Sequence, residues 1–297
     1  MEKRFSVSKI LLNGFFILFS LCFLLPFLLV VSVSFSSEAS IEAVGYTLFP
    51  AEFSLEGYLY VFQNPQQIID AYAVTAFTAF AGTLCALVVM SMVAYSLSRR
   101  DFAYRGGLTL FIFITMIFSG GLVPSYIINT QYLGLGNNIL VYILPGLASA
   151  WHIVILRTFF QDLPVELVES AKLDGAREIT ILSRIIIPLS KPVLATVGLL
   201  ILLGKWNDWN TSLIYITNQK LYTLQYLLQR ILREVEFIQA MAKEMPTGIS
   251  ATQIAGDLPT ESMRFALAIV AAGPMLVVFP FFQKYFVSGL TVGAVKG

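Results

Sequence analysis

Six apolar runs, each long enough to cross a lipid bilayer, constrain the fold of this chain more than any other feature of its sequence. They lie at residues 11–35, 72–97, 108–128, 139–159, 193–216 and 263–286. A bilayer core takes about 20 apolar residues of helix, and helices satisfy their own backbone hydrogen bonds there. Only 12% of the 297 residues are charged and 57% are hydrophobic, which is too apolar for a soluble domain. The sequence therefore predicts an all-α polytopic membrane protein, with six transmembrane helices in one domain over residues 1–297.

The loops between these runs differ in charge. Three arginines, Arg99, Arg100 and Arg105, lie between the second and third runs, whereas residues 38–70 carry acids but no Lys or Arg. When residues near the end of a run are assigned to the side they are closest to, thirteen of the nineteen Lys and Arg residues belong to one side and five to the other, with Lys205 near the middle of a run. Because positive loops stay in the cytoplasm, this asymmetry predicts cytoplasmic N- and C-termini.

The first apolar run has two interpretations. A secretory signal peptide also begins with basic residues, here Lys3, Arg4 and Lys9, before an apolar core. The run is longer than such a core, and residues 36–40 form a poor cleavage site. A retained first span is therefore favoured.

The chain's only long polar stretch on the predicted cytoplasmic side covers residues 162–188. Asp162 and Pro164 are typical of a helix start, Gly175 is expected to break that helix, and Pro188 is expected to close a second short helix. A bent, amphipathic pair of helices attached at both ends to membrane spans can bind another protein and pass its movement to those spans. The alternative is a solvated loop on the lipid surface.

This stretch resembles the coupling loop of the permeases of binding-protein-dependent ABC importers, particularly those for carbohydrates. The matching residues, at the expected spacing, are Glu169, Ala171, Gly175, Ile185 and Pro188, with Asp174 and Ala176 fitting beside the glycine. Ser170 stands where alanine is common, and Ile187 where leucine is usual. Residues 120–126, 206–209 and 293–297 also resemble the branch of sugar permeases that serves oligosaccharide and polysaccharide importers.

The resemblance implies a type I ABC importer permease fold, with a cytoplasmic helix-bend-helix coupling loop at 162–188. It implies a multi-pass subunit of the bacterial cytoplasmic membrane that carries an oligo- or polysaccharide. A second permease, usually a different chain, two ATP-binding subunits and an extracytoplasmic substrate-binding protein would complete the importer. The residues implied to contact the ATPase are Glu169, Ser170, Ala171, Asp174, Gly175, Ala176, Ile185 and Pro188.

The chain carries no convincing catalytic, nucleotide or metal motif. The nearest approach to a phosphate-binding loop, residues 198–205, has five residues between its glycines where four are needed, and Trp206 follows its lysine in place of Ser or Thr. The single histidine, His152, has no partner at metal-ligand spacing. We therefore expect a non-catalytic subunit without a bound cofactor, metal or nucleic acid, whose partner ATPase uses ATP and Mg²⁺.

A polar cluster interrupts the fifth apolar run. It consists of Trp206, Asn207, Asp208, Trp209 and Asn210, next to Lys205. A charged Asp at mid-membrane costs roughly 2.5 to 3.5 kcal/mol and needs a partner or a water-filled cavity. Asp208 therefore either pairs with Lys205 on the same helix or lines a substrate pathway, where amides and carboxylates bind sugar hydroxyls and aromatic rings bind sugar C–H faces.

Leucines and other apolar residues repeat at helical spacing within residues 221–245, among charged residues. This pattern is typical of an amphipathic helix, here on the outer side. Such a helix covers the complex or lies at the membrane interface, or it binds the substrate-binding protein.

Two other functions compete with the importer. A secondary active transporter would show inverted repeats of broken helices and ionisable residues in several spans. An integral membrane enzyme would need a constellation such as paired carboxylates or a Ser-His pair. Neither pattern is present in the sequence.

Overall fold

The structure, a computed structural model, describes residues 7–244 and 260–294. The regular elements within these ranges are all helical. They form two compact units, one from the described residues 7–65, 228–244 and 260–274 and the other from the described residues 66–227 and 275–294. The two units are described separately.

The first unit contains the N-terminal helices and parts of two later ones. Its elements are α1 (Val7–Ser34), α2 (Glu38–Val44), α3 (Glu56–Val61), most of α13 (Leu224–Glu244) and the first part of α14 (Thr260–Ala294). The carboxylate of Glu38 accepts hydrogen bonds from the backbone N–H groups of Glu261 and Ser262, at 2.9 and 3.1 Å. These N–H groups have no partner within their own helix, so α2 caps α14.

The second unit contains the remaining helices. They are α4 (Pro65–Ser98), α5 (Arg105–Ile117), α6 (Leu122–Ile127), α7 (Ala150–Gln161), α8 (Val165–Leu173), α9 (Glu178–Ile181), α10 (Ile187–Leu189), α11 (Lys191–Trp206) and α12 (Asn210–Tyr215). Two π-helical turns follow α6 and α9, and short 3₁₀ turns precede α7 and α13.

The described helices provide between three and six candidate membrane spans. Leu11–Ser34, Pro65–Ser98 and Thr260–Phe281 are continuous, and three further spans arise if each of three bent helix pairs is counted as one. Each of these candidates overlaps one of the apolar runs of the sequence. The predicted ends at residues 286 and 245 lie where the structure describes less: no side chains are described beyond residue 283, and residue 245 falls outside the described ranges.

Three of the candidate spans bend where one helix ends and the next begins. A glycine marks the first of these bends in the sequence. Between α5 and the segment Leu122–Tyr132 the axis turns by 114°, next to Gly121, whose φ is +84°. The fourth span bends by 48° just before α7. The composition of the fifth apolar run suggested one continuous helix. In the structure this run is divided, because α11 ends at Trp206 and α12 starts at Asn210.

A core of buried side chains joins the C-terminal end of α4 to the elements around α7–α11. Met90, Leu156, Ile181 and Val197 are almost fully buried in it. Between membrane helices such side chains stabilise the contact by close van der Waals packing. Since these residues come from α4, α7, α9 and α11, the core fixes the segment 162–188 against the spans.

Candidate functional site

The first limb of the predicted coupling loop is α8, which starts directly after Pro164. Val168 and Ala171 are buried against the core of the second unit, whereas Glu169 and Ser170 on the other side of α8 are exposed. The helix therefore has one face fixed to the membrane helices and one face open to solvent.

Gly175 ends this limb in a Schellman turn. The N–H of Ala176 donates to the carbonyl of Ala171 at 2.9 Å, and the N–H of Gly175 donates to the carbonyl of Lys172 at 3.0 Å. These are the two hydrogen bonds that define the turn, which needs the left-handed φ of +77° at Gly175. The prediction that Gly175 breaks the helix agrees with this geometry. The carbonyl that accepts from Ala176 belongs to Ala171, which is buried in the core.

The second limb is α9, which continues through a π-helical turn at Leu182–Ile186 into α10. Pro188 lies inside α10 and does not close the limb, in contrast to the sequence prediction. In an α-helix the N–H of residue 188 would donate to the carbonyl of Arg184, and proline has no N–H. The π-helical turn at Leu182–Ile186 lies directly before the helical segment that contains Pro188. The chain changes direction at Ser190, where the axis turns by 84° into α11.

Apolar side chains also point away from the core along this loop. Leu173 at the end of α8 is 89% exposed, and Ile179 on α9 is 64% exposed. Asp174, between them in sequence, is exposed. A bent surface with protruding apolar side chains and a polar surround has the composition of a protein interface.

One lysine joins the two limbs to the C-terminal end of α4 and the loop after it. The ammonium of Lys172 lies 2.7 Å from Asp101 Oδ2 and 2.8 Å from Glu178 Oε1. The second oxygen of each acid is also bound, because Arg99 Nε lies 3.3 Å from Asp101 Oδ1 and the hydroxyl of Tyr95 donates to Glu178 Oε2. We call Tyr95, Arg99, Asp101, Lys172 and Glu178 the inner ion cluster.

The charges of this cluster stabilise one another. The hydrogen bond from Lys172 lowers the pKa of Asp101 to about 2. The bonds to Asp101 and then to Glu178 raise the pKa of Lys172 above its ordinary value. Both groups are therefore charged at neutral pH.

The polar cluster of the fifth run lies at the break between α11 and α12. Asn207 Nδ2 donates to the carbonyl of Leu203 at 3.0 Å and so caps the end of α11. Asp208 Oδ1 accepts from the N–H of Thr211 at 3.0 Å and caps the start of α12. Asn and Asp are typical of such positions because their short side chains bind nearby backbone groups.

The other members of this cluster differ in exposure. Trp206 is buried and its ring lies 6.5 Å from that of Tyr72, centroid to centroid. Trp209 is half-buried and Asn210 is exposed.

Lys205 does not form an ion pair with Asp208, which was one of the two alternatives for this cluster. Its ammonium donates to the carbonyl of Tyr142 at 2.6 Å, and no ion pair joins Lys205 to Asp208 among the residues that the structure describes. A Cβ atom at Gly82 would lie 2.8 Å from Lys205 Cε. The side chain thus fills the space that a glycine on α4 leaves open, and it binds a backbone carbonyl in the broken fourth span.

Sequence reasoning missed a buried hydroxyl network beside the break. The hydroxyl of Tyr142 donates to the carbonyl of Leu221 and lies 2.7 Å from that of Ser212. The hydroxyl of Thr223 donates to the carbonyl of Asp208 at 2.9 Å. These contacts satisfy polar groups that the break leaves without helical partners.

It also missed Tyr95 and Asp101 as partners of the coupling loop. The only sequence feature that singles out Asp101 is that it is an acid among the arginines of a predicted cytoplasmic loop. Its contact with Lys172 joins residues far apart in sequence, which no local pattern reports.

Comparison with known proteins identifies the family. A family model described as the binding-protein-dependent transport system inner membrane component matches residues 88–292, more than half of the chain and all of the loop. The chain belongs to this family. The recognition made from residues 169–188 is thereby confirmed.

Relatives of this permease align over almost its full length. It is 34% identical over 287 residues to the polygalacturonan/rhamnogalacturonan transport system permease protein YtcP of Bacillus subtilis (strain 168), with 97% of each chain covered. It is 29% identical to the trehalose/maltose transport system permease protein MalG of Thermococcus litoralis, with 98% of each chain covered.

A solved structure supports the same fold. A chain of a bacterial ABC transporter involved in the import of the acidic polysaccharide alginate superposes with a TM-score of 0.75 at 26% identity, covering 96% of this permease and 99% of that chain. The predicted type I ABC importer permease fold is confirmed. The protein is a non-catalytic membrane subunit, and its family works with an ATPase, a partner permease and a substrate-binding protein.

Proposed function

We propose that this permease is one membrane subunit of an ATP-driven importer that moves an oligo- or polysaccharide across the bacterial cytoplasmic membrane. A second permease, of different sequence, and two ATP-binding subunits complete the transporter. The permease itself binds no cofactor, and ATP with Mg²⁺ is used by the ATP-binding subunits. An extracytoplasmic binding protein delivers the saccharide.

The observation that carries this proposal is the shape of the coupling loop. Its inner face, including Val168 and Ile181, is packed into the core formed by the spans, and its outer face exposes Leu173 and Ile179. A rigid element buried on one side and apolar on the other moves the spans when a partner moves it. In this proposal the ATP-binding subunit contacts α8 and the turn, including Glu169, Ser170 and Asp174.

Support for a saccharide as substrate comes from the relatives. Those aligned over nearly the whole chain are named for polygalacturonan and rhamnogalacturonan and for trehalose and maltose, and the structural neighbour is named for alginate. Galacturonan and alginate oligosaccharides are therefore the first substrates to assay.

The test is purification followed by transport. An affinity-tagged permease extracted in mild detergent is expected to bring with it a different permease and an ATP-binding subunit. Uptake of labelled oligosaccharide by vesicles containing this complex, with the binding protein present, is expected to stop when ATP hydrolysis is blocked. Recovery without an ATP-binding subunit, or uptake that continues without hydrolysis, contradicts the proposal.

The substrate pathway is proposed to pass the break in the fifth span. Asn207, Asp208, Trp209 and Asn210 bring amide, carboxylate and aromatic groups together at this point, and such groups bind sugars. Since asparagine also caps a helix, Asp208→Asn keeps the N-cap while removing the charge.

Lower uptake by Asp208→Asn and by Trp209→Ala, with assembly intact, is the expected result. Unchanged uptake in both variants removes these residues from the pathway and leaves Asp208 with capping alone.

A further inference from the structure

The inner ion cluster connects three separate parts of the chain. Lys172 is in the last turn of α8, Glu178 is the first residue of α9, and Asp101 lies in the loop between α4 and α5. The Schellman turn at Gly175 reverses the chain and brings Glu178 back to Lys172. One ammonium therefore spans the bend of the coupling loop and also holds the loop to the C-terminal end of the second span.

The connection to α4 is made through both acids. Asp101 is held by Arg99 as well as by Lys172, and Glu178 is held by Tyr95 as well as by Lys172. The side chain of Tyr95 is itself buried in the core against α4's neighbours. Each carboxylate thus has one oxygen bound to the coupling loop's lysine and the other bound to a residue at the C-terminal end of α4.

A single exposed ion pair contributes little to stability, and salt screens it. This arrangement differs from an isolated pair because two carboxylates share one ammonium across a bend, so losing Lys172 releases both contacts together. The turn hydrogen bonds of Gly175 and Ala176 close the bend, and Lys172 adds a side-chain link across it.

We propose that Lys172 is a positioning residue for transport: it fixes the angle between the two limbs of the coupling loop and makes the second span follow their movement. The inference rests on the proposed function. Removing the lysine leaves α8 and α9 in place, because Val168 and Ile181 still anchor them in the core, but it removes the polar link that joins the two limbs to each other and to Asp101. The expected defect is therefore loss of coupling without loss of assembly.

The experiment uses the complete importer in liposomes and measures saccharide imported per ATP hydrolysed. Lys172→Met is expected to lower this ratio by about threefold, the size expected for losing exposed ion pairs, while ATP hydrolysis and co-purification persist. Lys191→Met is the matched control: Lys191 is an exposed lysine on the same side and forms no ion pair within the described part of the chain. Its ratio should equal that of the wild type.

Two further measurements separate positioning from a general structural role. Lys172→Arg keeps the charge and is expected to restore most of the ratio. Raising the ionic strength should lower the wild-type ratio toward that of Lys172→Met, because salt screens the cluster. If Lys172→Met does not assemble, the pair Asp101→Asn and Glu178→Gln keeps the side-chain shapes and takes its place.

A ratio equal to the wild type in Lys172→Met, or in the replacement pair, overturns the inference. So does a fall in hydrolysis and import by the same factor, since coupling is then unchanged. If the wild-type complex itself imports no saccharide with ATP, the proposed function fails, and that result is distinct from either outcome.

Discussion

At the scale of single residues, Gly175 is a position where the backbone conformation favours glycine. Its φ of +77° is in the left-handed region, and nothing lies within 4 Å of the place where a Cβ would be added. Any cost of substitution is therefore conformational and not steric. This separates it from Gly82, where a Cβ would meet the side chain of Lys205.

Gly175→Ala is expected to lower the stability of the importer by about 1 kcal/mol, because a left-handed residue with a Cβ is strained by that amount. Gly175→Asn should cost less, since asparagine adopts this conformation more readily. Thermal unfolding of the purified complex measures both.

Gly204→Ala is the matched control, because Gly204 lies within α11 without a positive φ and with equally open space. It is expected to be neutral or slightly stabilising. Equal losses at both glycines would contradict the assignment of strain to Gly175.

Asp101 gives a pH prediction at the same scale. Because its pKa is lowered from 3.8 to about 2, its contribution to stability is present above pH 3.8 and lost as the pH falls through about 2. Lys172, whose pKa is raised above 10.5, contributes below pH 10.5 and loses that contribution as the pH rises through its higher value.

The unfolding temperatures of the wild type and of Asp101→Asn should therefore differ by a constant amount between about pH 5 and 9. Asp162→Asn, which changes an exposed acid at the end of α7, should show no such difference. If the difference in unfolding temperature between the wild type and Asp101→Asn changes within this pH range, the geometry of the cluster is contradicted.

At the scale of elements, the sequence located the apolar segments but not their breaks. Hydropathy and loop charge report where a segment meets lipid, and these signals placed all six runs. The turn at Gly175 was also predictable, since glycine after an amphipathic helix is a local signal. The end of α11 at Trp206 was not, because Asn207 and Asp208 have the same composition whether they cap two helices or lie along one.

The short helices of the first unit give a prediction about elements. Glu38 on α2 caps α14 through Glu261 and Ser262, and removal of a helix cap costs about 0.5 to 2 kcal/mol. Glu38→Ala is expected to lower the unfolding temperature of the purified complex. Glu42→Ala, on the exposed side of the same helix, serves as the control and should leave it unchanged; an equal loss in both variants would locate the effect in α2 itself.

At the scale of the whole molecule, the charge asymmetry predicts which end of each span faces the cytoplasm. Leu173, which is 89% exposed, belongs to the predicted inner side, and Tyr132, which is 80% exposed, belongs to the outer side. Both side chains are open to a labelling reagent, so the prediction is directly testable.

In a variant with Cys22 and Cys85 replaced by serine, a cysteine at position 132 should react with an impermeant maleimide in intact cells. A cysteine at position 173 should react only after the membrane is opened. The reverse pattern, or labelling of both from one side, contradicts the orientation and with it the cytoplasmic position of the coupling loop.

The contact of Lys205 with Gly82 has a practical consequence for anyone who builds hybrid permeases. A hybrid that inherits its second helix from one parent and its fifth from another combines these two positions at random. A larger residue at position 82 then meets the methylene groups of Lys205. A shorter residue at position 205 leaves the space beside Gly82 empty and removes the hydrogen bond to the carbonyl of Tyr142. The two helices are best exchanged as a pair.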